Sequence, residues 1–114
     1  MRFVLILAVS VLAVLSLGVK TSVAERPNEV REPVLVELFS SQNCAACPKA
    51  NENLIELANE REIFPIVWSV PYWDYLGWDD THASSAFADR QKAYADRFNL
   101  RGPYTPQAVI DGCL

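Results

Sequence analysis

A strand-like apolar run that leads directly into two cysteines spaced CxxC constrains this chain more than any other feature. Val34 to Pro48 reads VLVELFSSQNCAACP. The run from Val34 to Phe39 is interrupted only by Glu37, the pattern of a strand covered on both faces. Ser40 to Asn43 supplies a turn. From Cys44 to about Arg61 the apolar positions Cys47, Ala50, Leu54, Leu57 and Ala58 recur at helical spacing, with Asn51, Glu52, Asn53, Glu56, Asn59 and Glu60 on the other side. Pro48 fits the first turn of such a helix, where its missing N–H would have had no intrahelical partner. A cysteine at a helix start meets unpaired N–H groups and the positive end of the macrodipole, which favour the thiolate. Two sulfurs at this spacing can also close a disulfide.

Further along, Ile63 to Val70 (IFPIVWSV) reads as a second strand, with Pro65 near its start where no ladder donor is required. Strand, helix and strand in this order predict a crossover and a parallel pair. After Pro71 comes the aromatic segment YWDYLGW, Tyr72 to Trp78. A second helix is expected from about Ser84 to Asn99, capped by Ser84 or Ser85, with Phe87, Tyr94 and Phe98 on one stripe. RGPYTP, Arg101 to Pro106, then returns the chain into a short strand from Gln107 to Asp111.

The N-terminal part has a different character. Residues 1–24 carry Arg2, an apolar run from Phe3 to Val19, and small residues at Ser22 and Ala24, the layout of a secretory signal peptide cleaved after Ala24. An uncleaved anchor is the alternative, for which the run is short and diluted by Ser10 and Ser16. Residues 25–33 form a polar, proline-bounded leader, and residues 34–114 form the folded domain. With 51% hydrophobic and 21% charged residues the chain is of globular class. Its net charge of -4 makes nucleic acid and anionic membrane surfaces poor partners, leaving the signal peptide as the membrane contact.

Export places the three cysteines in an oxidising compartment, periplasmic or extracellular. The odd count leaves Cys113 free, intermolecular, or alternating between partners. Cys44, Cys47, His82 and Cys113 would just make up a Cys3His zinc set, but His82 and Cys113 belong to no paired-ligand motif. His82 reads as a surface residue. A copper carrier lacks methionine beyond Met1. No metal and no cofactor are therefore expected. The residues leave two readings of the CxxC open, an exchange-active pair and a static crosslink.

Strand, CxxC, helix and a downstream Thr-Pro opening another strand together resemble the thioredoxin superfamily. More closely, ELFSSQNCAACP, YWDYLGW and RQKAYA followed by YTPQAVIDG resemble the secreted bacterial thioredoxin-like family of domain of unknown function 1223, over roughly Val34 to Gly112. The resemblance implies an α/β, thioredoxin-like fold, with a central strand-helix-strand unit and a helical insertion, Tyr72 to Asn99, before the cis-proline strand. It implies a thiol-disulfide oxidoreductase acting on protein thiols or disulfides, with Cys44 as the attacking thiolate and Cys47 resolving the mixed disulfide. Glu37 would relay protons for Cys47; its alternative is a solvent-facing strand-end carboxylate.

Only about 5–6% of X-Pro bonds in folded proteins are cis, yet the resemblance implies a cis Thr105-Pro106 bond facing the CxxC, with Thr105 free to pair with a substrate peptide. The group Trp68, Tyr72, Trp73, Tyr75 and Trp78 reads either as packing that anchors the insertion or as a substrate groove, with Trp73 its candidate contact. Ser69 and Pro71 stand where the family pattern has His and Asp, so no imidazole is expected beside the aromatic loop. The family's fold also implies a further strand and a final helix. Their absence predicts a C-terminally incomplete domain, Cys113-Leu114 as a tail outside the family pattern, and self-association through an exposed strand edge. A non-catalytic module, or remnant, with a structural disulfide is the alternative function.

Overall fold

The computed structural model describes residues 31–114. The expected signal peptide and most of the 25–33 leader lie outside the described residues. Strand β1 (Val34–Ser40), helix α1 (Cys47–Leu57), strand β2 (Ile63–Ser69), a 3-10 segment (Pro71–Leu76), helix α2 (Ser85–Arg97) and strand β3 (Gln107–Ile110) follow in order. The result is a mixed α/β unit with one three-stranded sheet, ordered β2-β1-β3. β1 and β2 pair in parallel from Val34 opposite Ile63 to Ser40 opposite Ser69, while β3 is antiparallel to β1, with Phe39 opposite Gln107. Pro65 lies on the edge strand β2, where its missing donor need not interrupt a ladder.

Helix α1 is shorter than its apolar pattern predicts. A helix beginning at Cys44 would need residue 48 to donate to the Cys44 carbonyl, and Pro48 has no N–H. The carbonyl instead accepts from the Cys47 N–H at 3.1 Å, closing a turn that leaves Cys44 outside the helix. At the other end, the Asn59 and Glu60 N–H groups reach the Glu56 and Leu57 carbonyls, turns that end the helix before the polar stretch to Glu62. Leu57 and Ala58, expected on the buried stripe, are exposed.

Helix α2 is closer to its prediction. Ser84 Oγ accepts from the Ala86 N–H at the start. At the end Asn99 adopts φ 54°, and the N–H groups of Asn99 and Leu100 return to the Asp96 and Ala95 carbonyls, a Schellman arrangement in which Asn replaces the usual glycine.

Strand alternation divides β1 between two layers. Val36 and Leu38 pack with Leu54, Val34, Ala50 and Ile63 under α1. Phe39 faces the other way and, with Val70 and Val109, is covered by Trp68, Tyr72, Trp73, Ala88, Tyr94 and Phe98 from β2, the 3-10 segment and α2. Full burial of a side chain like Phe39 contributes roughly 1.5–3 kcal/mol, so the aromatic insertion supplies the larger part of the core on this face. The α1 layer covers less: Ala108 and Ile110 of β3 remain exposed.

Candidate functional site

Cys44 and Cys47 form a disulfide with Cα atoms 5.3 Å apart. Cys44 occupies the turn ahead of α1, its N–H bonded to the Ser41 carbonyl at 3.2 Å, and Cys47 is the first helical residue. Both are buried, Cys47 completely and Cys44 to 6% exposure, so the first cysteine is the more accessible residue by a small margin. Ala46 at the N-cap offers no side-chain acceptor to the first turn of α1. Of that turn's N–H groups, the one on Cys47 is bonded to the Cys44 carbonyl and Pro48 has none, which leaves that of Lys49 for a negative charge that develops nearby.

The segment opposite is built from three parts of the chain. The Thr105-Pro106 bond is cis. Trp73 Nε1 donates to Thr105 Oγ1 at 2.6 Å. Gln91, fully buried on α2, brackets the same two residues: its Nε2 donates to the Tyr104 carbonyl at 2.7 Å and to Gln107 Oε1 at 2.8 Å, while its Oε1 accepts from the Tyr72 hydroxyl at 2.8 Å. Burial raises the Tyr72 pKa despite this hydrogen bond. The backbone N–H and carbonyl of Thr105 make no hydrogen bond among the described residues. Asn43, Cys44, Ala45, Ala46, Trp73, Leu76 and Thr105 together line an open cleft of about 270 Å³. Three of the sequence-proposed residues, Cys44, Trp73 and Thr105, thus share one surface. Pro106 is the next residue in the loop, and Cys47 lies beneath.

Asn43 belongs to the same construction. Its Nδ2 donates to the Trp78 carbonyl at 2.8 Å and to Asp74 Oδ1 at 3.4 Å, tying the 3-10 segment to the residue before Cys44. Asp80, also buried, accepts from the Gln42 and His82 N–H groups at 3.2 and 2.9 Å and pins the end of that segment.

Glu37 is placed elsewhere. The expected alternative of a solvent-facing strand-end carboxylate does not hold, since the residue is fully buried. Alternation puts it on the Phe39 face, away from the Val36 and Leu38 face that touches α1. Its carboxylate accepts from Trp68 Nε1 at 2.8 Å, from Arg90 Nε and from the Tyr94 hydroxyl. Burial alone would raise its pKa. The three donors and the Arg90 charge outweigh that, and the carboxyl is held below its ordinary value. The same contacts push the Arg90 and Tyr94 pKa values up, for Tyr94 with burial as the first cause.

His82 is exposed, as expected for a surface residue. Cys113 is a free, exposed thiol beyond β3, where its carbonyl accepts from the Ile110 N–H. Ile110 pairs with Val36 near the start of β1, whereas the CxxC follows the end of that strand, so Cys113 lies at the opposite end of the sheet. The four groups of the zinc inventory are not brought together, and no cluster of three His, Cys, Asp or Glu occurs among the described residues.

Gln91, Asn43 and Arg90 were not singled out from the sequence. Gln91 had a signal, because it falls on the Phe87, Tyr94, Phe98 stripe, and a polar residue on a buried stripe needs partners.

The family model described as Protein of unknown function (DUF1223) matches residues 35–114. The match runs through Cys113 and Leu114, which are therefore not a tail outside the family pattern. A crystal structure of protein AGR_C_4864 from Agrobacterium tumefaciens is similar to this chain at 42% identity and a TM-score of 0.64, over 68% of this chain and 35% of the other. The chain thus spans about a third of that protein's length. No curated protein matches it.

Proposed function

The chain belongs to the DUF1223 family, and we propose that it is a thiol-disulfide oxidoreductase of thioredoxin-like fold acting outside the cytoplasm. The observation that carries the reading is the shared cleft, which is lined both by the first cysteine of a CxxC disulfide and by the residue before a cis-proline. A disulfide at a helix start supplies the electrophile and a stabilised leaving thiolate. The unpaired Thr105 backbone supplies an extended docking edge for a substrate chain.

In the oxidising direction a substrate thiolate attacks Cys44 Sγ. The Cys44–Cys47 bond breaks, a substrate–Cys44 disulfide forms, and Cys47 leaves as a thiolate that takes up a proton. A second substrate thiolate then attacks the first substrate sulfur and expels Cys44. The substrate dithiol is oxidised to a disulfide, and the protein is reduced to the Cys44, Cys47 dithiol by the same two electrons. The reverse sequence reduces a substrate disulfide. Trp73, Thr105 and Pro106 hold the substrate segment. Glu37 has no proton-transfer part here, because its oxygens are engaged by Trp68, Arg90 and Tyr94 on the far face of β1. Residues 1–24 serve as an export signal and 25–33 as a leader.

The test is exchange with a cysteine-containing peptide at neutral pH. The oxidised protein should oxidise it well above a free cystine control, Cys44→Ser should abolish this, and Cys47→Ser, given the disulfide form of the peptide, should trap a mixed disulfide detectable by mass as the Cys44 thiolate expels the peptide's other sulfur. Rates no greater than cystine would refute the assignment. The burial of both sulfurs favours a second reading, a static crosslink in a non-catalytic module. That reading requires reduction to alter stability while no mixed disulfide forms.

A further inference from the structure

Four large apolar side chains in the chain segments that supply the cleft are left in solvent: Tyr75, Leu76 and Trp78 are 78%, 55% and 53% exposed, and Tyr104, next to Thr105, is 48% exposed. Leu76 lines the cleft beside Trp73, and Tyr75 stacks on the Trp73 ring with centroids 6.4 Å apart. The segment that bears the first three is fastened to the cleft at both sides, through Asn43 to the Trp78 carbonyl and through Trp73 to Thr105. A pinned segment that presents exposed aromatic and aliphatic groups beside a cleft marks a surface that is covered when the protein works.

The charges beside it select among thiols. No Lys or Arg lines the cleft, and the acidic side chains within the aromatic segment and just after it are those of Asp74, Asp79 and Asp80. A small thiol that carries free carboxylates finds no guanidinium or ammonium among the residues that line the cleft, and the one carboxylate bonded to a lining residue, that of Asp74 on Asn43, carries like charge. An uncharged apolar stretch of polypeptide meets rings.

Resting on the exchange reading above and deepening it, we infer that the substrate is an extended polypeptide whose reactive cysteine is flanked by an aromatic or large aliphatic residue. Its main chain pairs with Thr105, its sulfur reaches Cys44, and the flanking side chain lies across Trp73, Tyr75 and Trp78. The bonds made and broken are those of the exchange already described.

The experiment compares two dithiol peptides identical except for Trp and Leu or Ser and Gly beside each cysteine, with glutathione as a third thiol. The oxidised protein should oxidise the apolar peptide about ten-fold faster than the polar one, a discrimination equal to roughly 1.4 kcal/mol, with glutathione slowest. Tyr75→Ser combined with Trp78→Ser, both at exposed positions, should bring the two peptides to within about two-fold. Equal rates for both peptides on the unaltered protein, or glutathione the fastest thiol, overturns the inference while leaving exchange intact. Binding of cysteine-free versions of the two peptides, followed by tryptophan fluorescence, separates the other failure. Preferential binding of the apolar peptide without any exchange upholds the surface and sinks the redox reading, whereas neither binding nor preference sinks the surface.

Discussion

Trp73 and Thr105 are joined side chain to side chain, indole N–H to hydroxyl at 2.6 Å, so the ring that walls the disulfide cleft also holds the residue preceding the cis-proline. Trp73→Phe keeps an aromatic ring and removes the donor. It should lower unfolding stability by about 1 kcal/mol, the net value of one such hydrogen bond, and Thr105→Val should do the same. The double variant should lose little more than either single one. A urea-denaturation double-mutant cycle that gives simple additivity would show that the two side chains are not coupled.

The Glu37 carboxylate governs acid stability. Its folded pKa lies below the ordinary value of 4.5, so the stability it contributes is fully present above that value and is lost as pH falls through the lower, folded one. Glu37→Gln keeps the shape but removes the charge that faces Arg90, Tyr94 and the Trp68 N–H. It should cost about 2 kcal/mol at neutral pH, moderated because Arg90 is half exposed. The measurement is unfolding free energy against pH from 7 to 3. The native protein should lose stability below about pH 4.5 and the variant distinctly less steeply; parallel curves would deny Glu37 this role.

Gln91 should be among the least replaceable residues of α2. Gln91→Leu preserves volume but leaves the Tyr104 carbonyl, the Tyr72 hydroxyl and Gln107 without their partners. Leaving buried groups unpaired costs about 1–3 kcal/mol each before relaxation, so a loss of about 3 kcal/mol is expected in denaturant midpoint at unchanged slope. Amide exchange should rise around Thr105 before it rises in α1. A neutral substitution would mean the bracket is dispensable.

Reducing the disulfide should matter far less to the fold. The closed loop is only a few residues long, and its chain-entropy contribution is about 2 kcal/mol. Thermal unfolding with and without dithiothreitol measures it. A loss well above that figure would support the static crosslink over an exchanging pair.

The elements were legible where short-range pattern decides them: β1 from its apolar run, α2 from its serine cap, and the parallel β1–β2 pair from element order. The start of α1 was misplaced because helical spacing reports which face is apolar, whereas Pro48 decides which carbonyl can be satisfied. Glu37 shows a second limit. Strand alternation could have assigned it to the Phe39 face, but its partners Trp68, Arg90 and Tyr94 come from β2 and α2, whose approach is a tertiary outcome. The aromatic segment divided between both of its readings: Trp68 and Tyr72 pack in the core, Trp73 walls the cleft, and Tyr75 and Trp78 stay in solvent. Asn43 gave no local signal, since what matters is the backbone carbonyl it meets at Trp78.

The antiparallel pairing of β3 with β1 fixes an order of events as well as a shape. During synthesis the two cysteines emerge long before Thr105 does, and the loop that lines their cleft is in place only once Gln107 has come to rest beside Phe39. For that interval the two cysteines lack the wall that Thr105 provides in the finished fold.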